Sequence, residues 1–410
     1  MRGFNWLSWV MVLALLPFQM AGSASSSAPS PSSVVASAGK RMANLDRQPA
    51  PPLAGPPYDI FLPLVARNDA QPMLLGAYPY DWAGLETTYT GEMTPFDTWT
   101  GKKHSILGTF IDIAHSAPSS EVTGQLATIW SHGYTPFVNL MVCSFGGPPD
   151  PAGCSTGPPT VVADLASGSL NSVIDAWAIA YKAYAEGGGG RAAFIAPMPE
   201  MNGDWKKYSG DPANFILAYQ QIRQRFQTNG VPASSVRWVF APNGYTPEGD
   251  PTIEEYYPGT SVVDVVSFSS YNFGFMNYCL KGDTNPDHNR WDPPSFVFGH
   301  YLPQLRTMAP DKPILVSQTG TTAQYDASCD NTSAKNQWLI DAFNYLAGQQ
   351  QVRGFIYYNT PRWEMIDWPV YGAHALILPP SGYTGYQTGA ANPAYQYIAP
   401  AVLKNMPLLP

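Results

Sequence analysis

From Pro72 onward the chain alternates short apolar runs, rich in β-branched residues, with longer stretches whose apolar positions recur at helical spacing. Eight such runs occur, at 73–78, 105–114, 135–142, 192–199, 236–242, 262–270, 312–319 and 353–359. Most are apolar on both faces, the pattern of strands buried in a parallel sheet. Between them, 121–132, 169–185, 212–228, 295–308 and 333–348 read as helices. The helix at 212–228 opens well, with Asp211 as N-cap and Pro212 at its first position. Strand and helix alternating over about 330 residues predict an α/β fold, a (β/α)8 barrel rather than a doubly wound sheet. No G-x-G-x-x-G follows the first run. Barrels of this type carry their chemistry on the loops after the C-terminal ends of the strands. That rule selects Glu200 just past the fourth run, Tyr271 and Asn272 just past the sixth, and Gln318 at the end of the seventh.

The N-terminal part has a different character. An apolar run from Trp6 to Phe18 follows one early Arg and precedes the small residues Ala21, Gly22, Ser23 and Ala24, which predicts a signal peptide over 1–24 and a secreted protein. An uncleaved membrane anchor is the alternative, for which the run is short, and no later segment is apolar enough to span a bilayer. Residues 25–71 read as a Ser/Pro-rich linker, with 58–68 as a short strand or lead-in, and 72–405 as the barrel domain. The cysteines are Cys143, Cys154, Cys279 and Cys329, an even number in a chain expected to leave the reducing cytosol. Their order suggests Cys143 with Cys154 and Cys279 with Cys329.

Composition removes several function classes. Charged residues make up only 13%, the net charge is −8, and the 22 Lys and Arg form no basic run, so nucleic acid is not an expected partner. The 24 Tyr, 18 Phe and 12 Trp are more informative, because amphipathic rings suit neutral, hydroxyl-rich ligands as well as cores. The six His, at 104, 115, 132, 288, 300 and 374, show no H-x-H or H-x-x-x-H spacing, and no metal or other cofactor is expected. A monomer is the expected state.

Glu200 lies in the stretch APMPEMNGDW, residues 196–205. Glycoside hydrolysis requires two carboxyl groups across the scissile bond, one of them held protonated near neutral pH by an apolar setting. Met198, Pro199, Met201 and Trp205 would provide that setting; in the plainer alternative, Glu200 pairs with Lys206, Lys207 or an Arg from elsewhere in the chain at the barrel rim. PMPEMNGDW is similar to the E-M-N-G-x-W signature of glycoside hydrolase family 26, the β-mannanase family. Three further stretches resemble that family in the right order: YYPGTSVVDVVSFSSYN at 256–272, KPILVSQTGTT at 312–322 and VRGFIYYN at 352–359.

The resemblance covers about residues 72–400. It implies a (β/α)8 hydrolase of β-linked polysaccharides such as β-mannan, with Glu200 as acid/base and position 318 as nucleophile. It also implies sugar contacts from Asn202, Trp205 and Tyr271, the last hydrogen-bonded to the nucleophile position.

The chain departs from the family at three places. Gln318 stands where the family has its nucleophilic Glu, and an amide cannot carry that charge. Ala196 and Pro199 replace an Arg and a His that precede the acid, and Tyr357 matches a Trp that floors the sugar site, with Trp363 nearby. Gln318 leaves three explanations open: a displaced carboxylate such as Asp81, Asp112, Glu364 or Asp367; a polysaccharide-binding barrel without turnover; or a Glu-to-Gln change introduced into the chain. A surface scaffold tethered by its N-terminal segment is the reading outside carbohydrate chemistry.

Overall fold

The computed structural model describes residues 71–79, 88–113, 118–142, 160–329, 332–360, 368–372 and 382–409. The expected signal peptide, most of the expected linker, and Cys143 and Cys154 lie outside these residues.

Eight strands form one closed, all-parallel barrel in sequence order. They are β1 Leu74–Tyr78, β2 Ile106–Asp112, β3 Thr135–Met141, β4 Ala193–Pro197, β5 Val236–Phe240, β6 Val265–Asn272, β7 Ile314–Thr321 and β8 Val352–Tyr358. Each falls on one of the eight apolar runs. Successive side chains alternate between two apolar layers, as a strand covered on both faces requires. Leu74, Ile106, Phe137, Phe194, Val239, Val265, Leu315 and Ile356 fill the lumen. Their neighbours, including Leu75, Leu107, Val138, Ile195, Val266, Val316 and Phe355, pack outward under the helices.

The helix Pro212–Thr228 starts as expected, the Asp211 carboxylate accepting from the backbone N–H of Asn214 at 3.1 Å. Among the described residues, several helices lie outside the expected stretches, and the longest of these is unexpected on its residues. Thr88–Thr100 crosses from β1 to β2 although its sequence is Thr-rich and contains Pro95. Met93 and Phe96 anchor it by burial, a tertiary contribution that outweighs poor local propensity.

The C-terminal tail closes the floor of the barrel. Leu403 and Leu408 join the luminal apolar cluster. Two arginines on the strands hold the tail's backbone. Arg237 donates to the carbonyls of Leu403 at 3.0 Å and Met406 at 2.5 Å, and the buried Arg353 donates to that of Leu408. Cys279 and Cys329 are disulfide-bonded as expected, with Cα atoms 5.5 Å apart.

Candidate active site

Glu200 stands at the C-terminal rim of β4 on a sharply turned backbone. Met198 and Glu200 both have positive φ, 49° and 61°, on either side of Pro199. Side chains rarely adopt this region, and Met198 is further restricted by the proline that follows it. The turn is held by the Glu200 N–H on the carbonyl of Ala241 at 2.7 Å and by the buried Tyr208 hydroxyl on that of Pro199 at 2.6 Å.

Four side chains converge on the Glu200 carboxylate. Ser269 Oγ donates to Oε1 at 2.7 Å and Asn243 Nδ2 donates to the same oxygen at 3.1 Å. Trp205 Nε1 donates to Oε2 at 3.3 Å, and Lys206 Nζ stands 3.6 Å from that oxygen. The expected protonated state is therefore corrected. Burial pushes the carboxyl's pKa up, but the Lys206 charge and the hydrogen bonds from Ser269, Asn243 and Trp205 outweigh it and leave it below the ordinary value. At neutral pH Glu200 is a carboxylate. The ion pair with Lys206 foreseen as the plainer alternative does form.

Trp205 reaches the carboxylate because Gly203 has no side chain. A Cβ at position 203 would lie 2.2 Å from the indole Cζ2. The glycine of the signature stretch thus seats the tryptophan. Asn202 has another role than the expected sugar contact: it is 1% exposed. Its Nδ2 faces the carbonyls of Asn243 and Tyr245 at 2.9 and 3.0 Å and Thr246 Oγ1 at 2.9 Å, while its Oδ1 accepts from the Asn243 N–H at 2.7 Å. It ties the loop after β4 to the loop after β5, and so places Asn243 against Glu200. Neither Asn243 nor Ser269 stood out in the sequence. Their only signal was position at or just beyond a strand end.

Gln318 lies across β7, where one extra residue enters the strand. Phe268 pairs with Val316 but Ser269 with Gln318, and Val316 and Thr319 pair with Phe355 and Tyr357, so β7 bulges at Ser317 and Gln318. From Leu315 in the lumen, strict alternation would turn residue 318 outward. The bulge reverses the parity and turns Gln318 inward. There Tyr271 donates its hydroxyl proton to Gln318 Oε1 at 3.1 Å, the contact implied by the resemblance. Gln318 Nε2 donates to Asn139 Oδ1 at 3.4 Å.

Tyr357 does not floor the cleft. It is 1% exposed, sits in the outer layer against Tyr386 and donates to the carbonyl of Trp368 at 2.7 Å. The next residue, Tyr358, faces inward, a one-residue difference that a period of two converts into the opposite face. Around the mouth, Tyr271 packs against Trp368 with ring centroids 4.8 Å apart, and Tyr78 against Phe110 at 5.2 Å and Tyr358 at 5.5 Å. Tyr271, Phe110 and Phe273 keep part of their surface exposed. Trp363, Asp81, Glu364 and Asp367 lie outside the described residues. Asp112 ends β2 on the Glu200 side of the barrel, and its charge reaches Tyr208. Among the described residues no group of three or more His, Cys, Asp or Glu is disposed to hold a metal ion.

Comparison with known proteins agrees with this architecture. A modular endo-β-1,4-mannanase from Cellulomonas fimi superposes with a TM-score of 0.57 at 16% identity, over 81% of this chain and 74% of that one. A family 26 β-mannanase from Bacteroides ovatus gives 0.54 at 15% identity, over 83% and 93%. The catalytic domain of a Bacillus sp. family 26 endo-β-1,4-mannanase gives 0.56 at 15%, over 82% and 90%. The shared property is the barrel fold. Among curated proteins, the mannan endo-1,4-β-mannosidase A and B of Caldalkalibacillus mannanilyticus is 28% identical over 92 residues, 20% of this chain. The chain spans only 17% of that relative's length. No protein-family model matches the chain. Among the described residues, no helix is long and apolar enough to cross a membrane.

Proposed function

We propose that the chain is a secreted, carbohydrate-active barrel of the family 26 type, whose cleft takes a β-linked polysaccharide such as β-mannan, and that Glu200 exchanges a proton with the glycosidic oxygen. The observation that carries this reading is the Glu200 carboxylate, fixed at the rim of β4 by Ser269, Asn243, Trp205 and Lys206 beside the rings of the barrel mouth. Partly exposed aromatic faces stack on the apolar faces of pyranose rings, and the polar groups between them orient hydroxyls. As a general acid Glu200 must first take up a proton, so turnover is expected to favour acidic pH. In retaining enzymes a second ionised carboxyl stands about 5 Å away and raises the acid's pKa by like-charge repulsion. Gln318 carries no charge and exerts no such effect.

Gln318 also favours the second reading, a barrel that binds polysaccharide without cleaving it. One experiment separates the two. Secreted protein is incubated at pH 4 to 7 with mannan, glucomannan, mixed-linkage glucan and xylan, and new reducing ends and retention on each polymer are measured. Hydrolysis abolished by Glu200→Gln supports the enzyme. Saturable retention without new ends supports the binding barrel. Absence of both from every polymer overturns the proposed function.

A further inference from the structure

The environment of Gln318 has a direction imposed from the backbone. Tyr78 sits on β1 with its ring over Gly108, where a Cβ would come within 2.2 Å of the ring, and its hydroxyl donates to the carbonyl of Ser317 at 2.9 Å. With its proton committed, the hydroxyl offers only lone pairs to Asn139, which donates to it through Nδ2 at 2.9 Å. The second Nδ2 proton goes to the carbonyl of Thr109 at 3.2 Å. Two backbone carbonyls, which can only accept, therefore orient the Asn139 amide and turn its Oδ1 toward residue 318. Asn139 and Tyr78 are fully buried, and Gln318 is 6% exposed.

Residue 318 must consequently present a donor to Asn139, while its other end meets the Tyr271 hydroxyl, which can donate or accept. A glutamine does both with its two amide ends, at 3.4 and 3.1 Å. An ionised glutamate would set one oxygen against Asn139 Oδ1, two acceptors facing each other at a buried position, with the Glu200 carboxylate also in the cleft. Rotating Asn139 to relieve this would turn its carbonyl oxygen onto that of Thr109. A protonated glutamic acid would fit, its O–H replacing the amide N–H.

We propose that Asn139 is a positioning residue that keeps position 318 uncharged, so that this cleft works without a protein nucleophile at β7 and replacing the amide by a carboxyl does not restore one. Glu200 then faces a neutral hydrogen-bonding partner. Any displacement at the sugar carbon must come from a group other than residue 318.

The test is the ionisation of the carboxyl in Gln318→Glu, followed by 13C NMR of labelled glutamate, with assignment by difference from the parent. Its midpoint is expected above the ordinary carboxyl value by about one unit or more. In Gln318→Glu/Asn139→Ala the opposing oxygen is gone and the midpoint should fall measurably, the part of the elevation due to burial and Glu200 remaining. A midpoint at or below the ordinary value in the single variant, or one that Asn139→Ala leaves unchanged, overturns the proposal. If the single variant is too unstable at neutral pH, the urea midpoints of the single and double variants against pH, compared with the parent and Asn139→Ala, provide the same information. A carboxyl whose pKa is raised on folding stabilises the protein below its unfolded pKa, and that contribution is lost as pH rises through the folded pKa. Gln318→Glu should therefore approach the parent's stability near pH 4 and fall behind it toward pH 7. A pH-independent gap overturns the proposal too. Neither measurement uses a polysaccharide, so a cleft inert toward every polymer would sink the proposed function and leave this inference standing.

Discussion

Deleting residues 407–410 tests whether the tail is part of the barrel or merely lies on it. The deletion removes Leu408, 3% exposed in the luminal cluster, and the carbonyl that accepts from Arg353 Nε. Losing a fully buried leucine costs about 1.5–3 kcal/mol. Losing a hydrogen bond to a charged group inside the fold costs about 1.5–3 kcal/mol more. The sum, about 3–6 kcal/mol, is a large share of the 5–15 kcal/mol by which domains are typically stable, and corresponds to a fall in Tm on the order of 10 °C. Urea unfolding of the intact and shortened chains measures the difference. Arg353→Met, made in both, identifies the source. If the guanidinium is what suffers, the two changes together should cost less than their sum by about 1 kcal/mol or more, because removing the charge also removes the penalty of burying it without that acceptor. A shortened chain within about 1 kcal/mol of the parent would refute the reasoning, since surface changes alone account for about 0.5 kcal/mol.

Lys206→Met removes the largest influence that lowers the Glu200 pKa, while burial, which raises it, remains. A carboxyl held low in the folded state stabilises it above the unfolded pKa and loses that contribution as pH falls through the folded value; with the folded pKa raised, the variant lacks much of that contribution, so it should be less stable than the parent near pH 7 and the gap should close as pH falls toward 3. Parallel curves of Tm against pH between 3 and 7 would contradict this. Replacing Cys279 and Cys329 by serine opens a loop of sequence separation 50, and should lower stability by roughly 4 kcal/mol in the chain-entropy account, measured by urea unfolding under oxidising conditions.

The barrel was legible in the sequence because its signal is local and repeated. A strand covered on both faces must be apolar along its whole length, and eight such runs separated by helical spacing admit few architectures. Glu200 and Gln318 were legible for the same reason, since a strand's end can be read without knowing its neighbours. Trp205 stood out through the family resemblance, as a sugar contact rather than as the donor to Glu200 that it is here, and the Cys279–Cys329 pair was legible from the order of the cysteines. What surrounds these groups was decided by the closed barrel. Asn243 and Ser269 meet Glu200 from the C-terminal side of β5 and β6, and Tyr78 and Asn139 approach the bulge at Ser317 and Gln318 from β1 and β3, contacts 43 to 239 residues apart that no local pattern encodes. Two orientations, the expected inward one of Gln318 and the unexpected outward one of Tyr357, have the same origin. The inward turn of Gln318 depends on a bulge in β7, and the outward turn of Tyr357 on the register of β8, and in a structure of period two a single residue reverses the face. The ionisation of Glu200 had both origins: neighbouring methionines and prolines promised an apolar pocket, but the nearby Lys206 and Trp205 turn onto the carboxylate, and the closed barrel adds Asn243 and Ser269.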